Sequence, residues 1–316
     1  MGVLCNNFLP VSCLFISRLH LQDHLEKIIK KLLIIGCGKL GQGIGNNLSE
    51  LPIEIVGIKR SLPKTPLIFK IITLDIFSDK FRENVNLINP DFLIYSVSSD
   101  EQTEKSYQKN YVEGLKITID ALRQLKHFQH LIFISSTRVY GQISDSLLSE
   151  STIPQPQDFG GRALLEAEKC LNKLPFKSSI LRLSGIYGNG RHHMLGVASD
   201  PTKWPQEDRW TNRIHEEDAI SFISFLFTQI LNNEEIENLY LVTDCQPVSL
   251  YEVLKWIRSE LGLPPYKDSI PKNINGKKLV SAILPRLNFT FKHPNYKAGY
   301  AQMIAQLSKT NGQNID

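Results

Sequence analysis

The stretch that most restricts how this chain can fold is KLLIIGCGKLGQGIGNNL, residues 31–48. A short apolar run ends directly on a GxGxxG pattern formed by Gly36, Gly38 and Gly41, and a helix-like segment opens there. In a strand–turn–helix unit the three glycines have separate tasks. The first makes the tight turn, the second lets the backbone approach a pyrophosphate, and the third lets helix pack on strand. The N–H groups at the helix start then face the phosphates. The pattern points to a dinucleotide-binding loop that also carries Lys39 and Leu40.

The rhythm set by this unit continues. Apolar runs at 31–36, 53–58, 67–75, 92–97, 131–136 and 178–185 alternate with amphipathic stretches, as parallel strands alternate with crossover helices. Helices are expected at about 101–126, where Tyr111, Leu115, Ile119 and Leu122 recur at three- and four-residue steps, and at 161–173. The fold class is therefore α/β, a Rossmann-type doubly wound parallel sheet. Residues 31–185 form the expected nucleotide-binding domain. After Gly185 comes a loop rich in Gly, His, Pro and Trp up to Arg213, then a helix near 216–232, a strand LYLVTD and a helix near 249–261. Residues 186–316 read as a smaller C-terminal substrate-binding or lid region interleaved with the main domain. Residues 1–30 are apolar but broken by Asn6, Asn7 and Pro10, with no basic start, and read as a poorly ordered extension rather than a signal peptide.

Bulk properties narrow the partners. An apolar share of 42% against 22% charged residues in 316 residues is enough for a substantial core. The formal charge of +4 is spread without a basic run, which argues against nucleic acid. The five cysteines, Cys5, Cys13, Cys37, Cys170 and Cys245, never form CxxC, so neither a disulfide framework nor a zinc or other metal site is expected. A reducing, cytoplasmic location follows. No apolar run reaches the roughly 18–20 residues of a membrane helix, so no membrane partner is expected.

An NAD-selective site would place a carboxylate after the second strand to bind the ribose hydroxyls, whereas this chain reads VGIKRS, with Lys59, Arg60 and Ser61. Two cations and a hydroxyl suit a 2′-phosphate, favouring NADP(H) over NAD(H). Two solvated surface cations are the competing reading.

Taken together, GCGKLG, GIKRS, LDIF, ISSTRVYG, PQDFGGRALLEAEK, LRLSGIYGNGR, NRIHEEDA, LYLVTDCQPVSLYEVLKWI and FKHPNYKAGY resemble, in order over residues 31–305, the short-chain dehydrogenase/reductases. Within that family the chain is similar to the extended, epimerase-like branch, the NAD(P)-dependent epimerases and dehydratases, in its atypical GxGxxG form. The resemblance implies that Asp75 contacts the adenine amino group, that the loop Val97, Ser98 and Ser99 passes the cofactor, and that Ser136 hydrogen-bonds a substrate oxygen. Asp75 also reads as a strand-end turn residue and Ser136 as a strand-end cap. Homodimers built through helices flanking the sheet are common in the family.

One departure is central. Active relatives use a tyrosine as acid/base and, four residues later, a lysine that lowers its pKa. Here those positions fall on Gly160 and Leu164, neither of which moves a proton, and Leu164, Leu165 and Leu171 are spaced to face the sheet. The asparagine position falls on Tyr111 or Asn110. Thr137 and Arg138 replace the Asp-Glu pair of the dehydratases, which argues against sugar dehydration. A relocated proton donor is sought among Tyr187, Arg191, His192, His193, Asn212, Arg213 and His215, with Ser136 and His215 as catalytic candidates and Asp218 as a helix cap. Two functions stay open: an NADP(H)-dependent oxidoreductase or epimerase-like enzyme on a small polar, sugar or nucleotide-linked substrate, or a non-catalytic NADP(H)-binding redox-sensing or scaffold module.

Overall fold

The strands are short apolar runs buried on both faces, as a parallel sheet covered by helices requires. In the computed structural model, which describes residues 29–312 apart from 145, 189, 267, 268 and 270, six such strands and one more exposed edge strand form one parallel sheet. They are β1 (Lys30–Ile35), β2 (Ile53–Lys59), β3 (Lys70–Thr73), β4 (Phe92–Tyr95), β5 (His130–Ser136), β6 (Lys177–Leu183) and β7 (Leu239–Val242). Their spatial order is β7-β6-β5-β4-β1-β2-β3, so the winding reverses between β1 and β4. Ligands of such sheets bind at this reversal, beyond the carboxyl ends of the strands. The extension expected over residues 1–30 lies outside the described residues except for its last two.

Helices α1 (Lys39–Leu48) and α5 (Glu216–Leu231) cover one face of the sheet, packed on Leu32, Ile34, Ile94 and Leu181. On the other face lie α2 (Phe81–Ile88), α3 (104–122) and α4 (Phe159–Lys169), closing a core that includes Leu33, Leu93, Tyr95 and Phe133. A third, aromatic core gathers Tyr187, Trp204, Tyr251, Tyr296 and Tyr300 between α6 (Leu250–Glu260) and α7 (Tyr296–Gly312). The described residues after 186 build this third core and also return α5 and β7 to the main sheet.

Two elements differ from the sequence expectation. The strand expected over 67–75 is ordered as a ladder only over Lys70–Thr73, because the Asp75 carboxylate accepts the Phe77 N–H at 2.9 Å and turns the chain. Helix α3 carries a π turn, Gln108–Glu113, where the Tyr95 hydroxyl donates to the Asn110 carbonyl at 2.6 Å. Such turns inside a helix commonly sit at functional sites.

Candidate functional site

A cavity of about 500 Å³ opens at the β1/β4 reversal. Gly36 has φ +78°, a region that side chains disfavour, and a Cβ there would stand 2.5 Å from the Val97 nitrogen. Only glycine brings the phosphate loop this close to the β4 loop. The Gly36 and Cys37 N–H groups both donate to the Ile58 carbonyl, at 3.1 and 3.0 Å, which fixes the loop on β2. Gly38, where a Cβ would meet only the Gly36 carbonyl at 3.9 Å, lines the wall with Lys39 and Leu40. Gly41 does not reach the wall. Its missing Cβ lies 3.1 Å from Ile34 Cγ2 and lets α1 rest on β1.

The cations after β2 and the acidic residue after β3 meet at one end of this cavity. Lys59, Arg60, Ser61, Asp75, Val97 and Ser98 all line it. The Arg60 guanidinium is held by both oxygens of Asp100, Nη1 donating to Oδ2 at 2.6 Å, and this hydrogen bonding holds the Asp100 carboxyl below its usual range. Near the start of α1, Lys39 and Arg191 converge on the buried Glu216 carboxylate at 2.5 and 3.3 Å. The loop after strand Gly185–Tyr187 is thereby tied to the phosphate loop.

Ser136 closes β5 at the opposite end. Its Oγ accepts the Arg138 N–H at 3.2 Å, so it caps the turn and lines the cavity at once. Ser135, Ser184, Lys109, Asn110 and Tyr111 share this wall. Burial pushes the pKa of the Tyr111 hydroxyl up. Sequence reasoning did not mark Ser184 or Lys109. Ser184 lay within LRLSGIYGNGR, whose strand end had to reach the cavity, whereas the side on which Lys109 emerges depends on the π turn.

Gly160 and Leu164 stand elsewhere. Leu164 is 1% exposed in the core under α4, and Leu165 and Leu171 pack in the same cluster. Gly160 faces Arg138: a Cβ at 160 would lie 2.5 Å from the guanidinium carbon. Arg138 is held firmly, its Nε donating to both oxygens of Asp158 at 3.0 Å and its Nη1 to Tyr107 Oη at 2.7 Å and Gln102 Oε1 at 3.1 Å. Its cation lies over the rings of Tyr107 and Phe159.

The remaining sequence candidates separate. Arg191 reaches the first cavity, and Asn212 lines a second, neighbouring one. His192 and His193 are exposed at the start of the short helix His193–Ser199. Tyr187 and Arg213 are buried behind the sheet, Tyr187 against Tyr300 and Arg213 donating to Thr211 Oγ1 at 2.7 Å. The expectation for His215 needs correction. It is 1% exposed, its Nδ1 accepts the Glu217 N–H and caps α5, and it lines neither cavity. Burial and the neighbouring His293 push its pKa down to about 4, so it is a neutral packing group at neutral pH. Asp218 does not cap α5. Its carboxylate accepts the N–H groups of Lys292 and His293, at 2.7 and 2.9 Å. His215, Glu217 and His293 bring ligand atoms within 4.8 Å of one another. Their partners are protein groups: Glu217 takes Lys292 and Gln302, and His293 takes Asp218 and Gln302.

No helix among the described residues is long and apolar enough to cross a membrane. No family model matches the sequence. No curated protein matches it either. Among solved structures, a protein from Methylobacillus flagellatus assigned as an NAD-dependent epimerase/dehydratase is 35% identical, covering 89% of this chain and 99% of its own, with a TM-score of 0.79. The UDP-glucose 4-epimerase of Thermotoga maritima, solved with UDP-glucose, is 14% identical over 89% of this chain and 99% of its own, with a TM-score of 0.71. The Thermus thermophilus UDP-glucose 4-epimerase, solved with NAD, is 16% identical over 85% and 96%, with a TM-score of 0.68. The last two establish likeness of fold. The first, at its identity and nearly full coverage, establishes kinship, and the chain belongs to the NAD-dependent epimerase/dehydratase family of the extended short-chain dehydrogenase/reductases.

Proposed function

We propose that this protein binds NADP(H) in the cavity over Gly36 and Gly38 and acts as an oxidoreductase or epimerase-like enzyme on a small polar substrate, without the tyrosine–lysine relay. The observation that carries the reading is the convergence of the phosphate loop, Lys59, Arg60, Ser61, Asp75 and Ser136 on one cavity. Two cations and a hydroxyl at the β2 end supply charge-assisted hydrogen bonds for a 2′-phosphate. The N–H groups of α1 and the side chains of Lys39 and Arg191 suit the pyrophosphate. The dinucleotide would supply hydride chemistry, and this chain would supply orientation and, through Ser136, polarisation of a substrate oxygen. Relatives solved with UDP-glucose or NAD support a sugar or nucleotide-linked substrate.

Titration with NADPH and with NADH, followed by cofactor fluorescence, tests this. The expected result is NADPH binding at least tenfold tighter, with the difference reduced by Lys59→Ala and Arg60→Ala. Equal affinities would sink the NADP preference, and no binding of either would sink the reading. A second function, a non-catalytic NADP(H)-binding module, is favoured by Leu164 being a core residue and Gly160 having no side chain. Turnover of a carbonyl or alcohol substrate that Ser136→Ala abolishes without loss of cofactor affinity decides for the enzyme.

A further inference from the structure

The second cavity, about 430 Å³, begins where the first ends. Ser136 lines the first and Thr137 and Arg138 the second, so one turn separates them. Its charged walls are unbalanced. Arg138, Arg209 and Lys277 face it against a single carboxylate, Asp158. That carboxylate is already engaged, by Arg138 and by the Gly161 N–H at 2.7 Å.

Lys277 is the most telling of these groups. Its ammonium donates to two backbone carbonyls, Thr137 O at 2.9 Å and Tyr140 O, and makes no ion pair among the described residues. Burial lowers its pKa to about 8, with Asp158 opposing and Arg138 adding to the shift. A half-buried cation with no ion-pair contact is costly, and an anion arriving beside it reduces that cost. Arg209, exposed on strand Asp208–Thr211, adds a second cation at the rim, and Asn212 and Trp210 complete the wall.

Gly160 accounts for the third cation. A side chain at 160 would displace the Arg138 guanidinium, so the glycine at this position is what leaves room for the arginine. We propose that this second cavity is an oxyanion site, in which Arg138, Lys277 and Arg209 hold a carboxylate or phosphate group of the substrate beside Ser136. Arg138 is a fixed, always-charged fork, which binds an anion rather than moving a proton. The proposal deepens the functional reading above by naming the substrate's charged group, and it stands on protein atoms alone.

The test uses the full chain without cofactor, so its outcome is separate from that of the NADPH titration. Inorganic phosphate and malonate are titrated by calorimetry at constant ionic strength set with sodium chloride. Saturable binding of either is expected, weakened at least tenfold in Lys277→Met and Gly160→Ala and clearly weakened in Arg209→Ala. Arg209 is exposed, so that variant tests the site even if the buried changes impair folding. Tighter phosphate binding assigns a phosphorylated substrate and tighter malonate binding a carboxylate one. No saturable binding by the wild type, or equal affinity in folded Arg209→Ala and Lys277→Met, overturns the site.

Discussion

The turn that carries Ser136 rests on a buried ion pair, and removing its acid should be among the most destabilising conservative changes in the chain. Arg182 donates to Glu168 through Nε at 3.0 Å and Nη2 at 2.6 Å, with side-chain exposures of 6% and 4%. Ser135 Oγ donates to the same carboxylate at 2.6 Å, and Arg182 Nη1 donates to the Tyr140 hydroxyl at 2.6 Å. Ser135 and Tyr140 flank the Ser136–Arg138 turn, so the pair anchors both sides of it. Glu168→Gln keeps the shape and an acceptor for Ser135 but leaves the guanidinium without its counter-charge. Breaking a buried pair in this way costs about 3–5 kcal/mol. With a urea slope of about 3 kcal/mol/M for a chain of this size, the unfolding midpoint should fall by about 1–1.7 M. Substituting both partners, Glu168→Met with Arg182→Met, should recover most of the loss, because no lone charge then remains. A single-variant cost below about 1 kcal/mol, or a double variant no better than the single, would refute the assignment of an anchoring ion pair.

Three further outcomes follow from the same coordinates. Gly36→Ala should lower cofactor affinity at least tenfold in a fluorescence titration, since its Cβ would meet the β4 loop at a positive φ. Leu164→Lys, which puts a lysine where the family resemblance expects one, should cost about 3 kcal/mol or more in urea unfolding and confer no activity, because position 164 faces the core. His130 and His215 both have folded pKa values pushed down to about 4 from 6.5, chiefly by burial. The unfolded chain then binds more protons between those values, so stability is full above pH 6.5 and falls as the pH drops toward 4. The slope is about 1.4 kcal/mol per pH unit for each histidine. Unfolding midpoints from pH 7.5 to 4.5 should show this limb and its reduction in His130→Gln, and an unchanged slope in that variant would exclude His130 as a source.

The parts of the molecule readable from sequence are those whose signals are local. The run KLLIIG followed by three spaced glycines defines its own turn, and the structure places Gly36, Gly38, Lys39 and Leu40 where the spacing requires. The residues after β2 and β3 likewise line the cavity, because in a parallel sheet strand ends share one edge. His215 was misjudged for a physical reason. His215 sits in a polar stretch, RIHEED, that reads as exposed, yet its strand pairs with Gly185–Tyr187 and packs it against His293, a residue 78 positions away. Lys277 left no mark in NINGKKL, because what distinguishes it is the carbonyls of Thr137 and Tyr140.

Gly160 shows how far a local reading reaches. From the sequence alone, glycine at the tyrosine position is a deletion of chemistry, and the helix around it is structural. The fold changes the meaning of that glycine, because the volume it vacates is filled by Arg138 from the neighbouring turn, pinned by Asp158 and laid over two aromatic rings. A deleted side chain alone would leave a hole lined by the groups that once served it. Here the space holds an oriented cation whose five donors are only partly used by Asp158, Tyr107 and Gln102. A cation held in that space favours an anion, so the substrates to screen first are anions that also carry a carbonyl or hydroxyl within reach of Ser136.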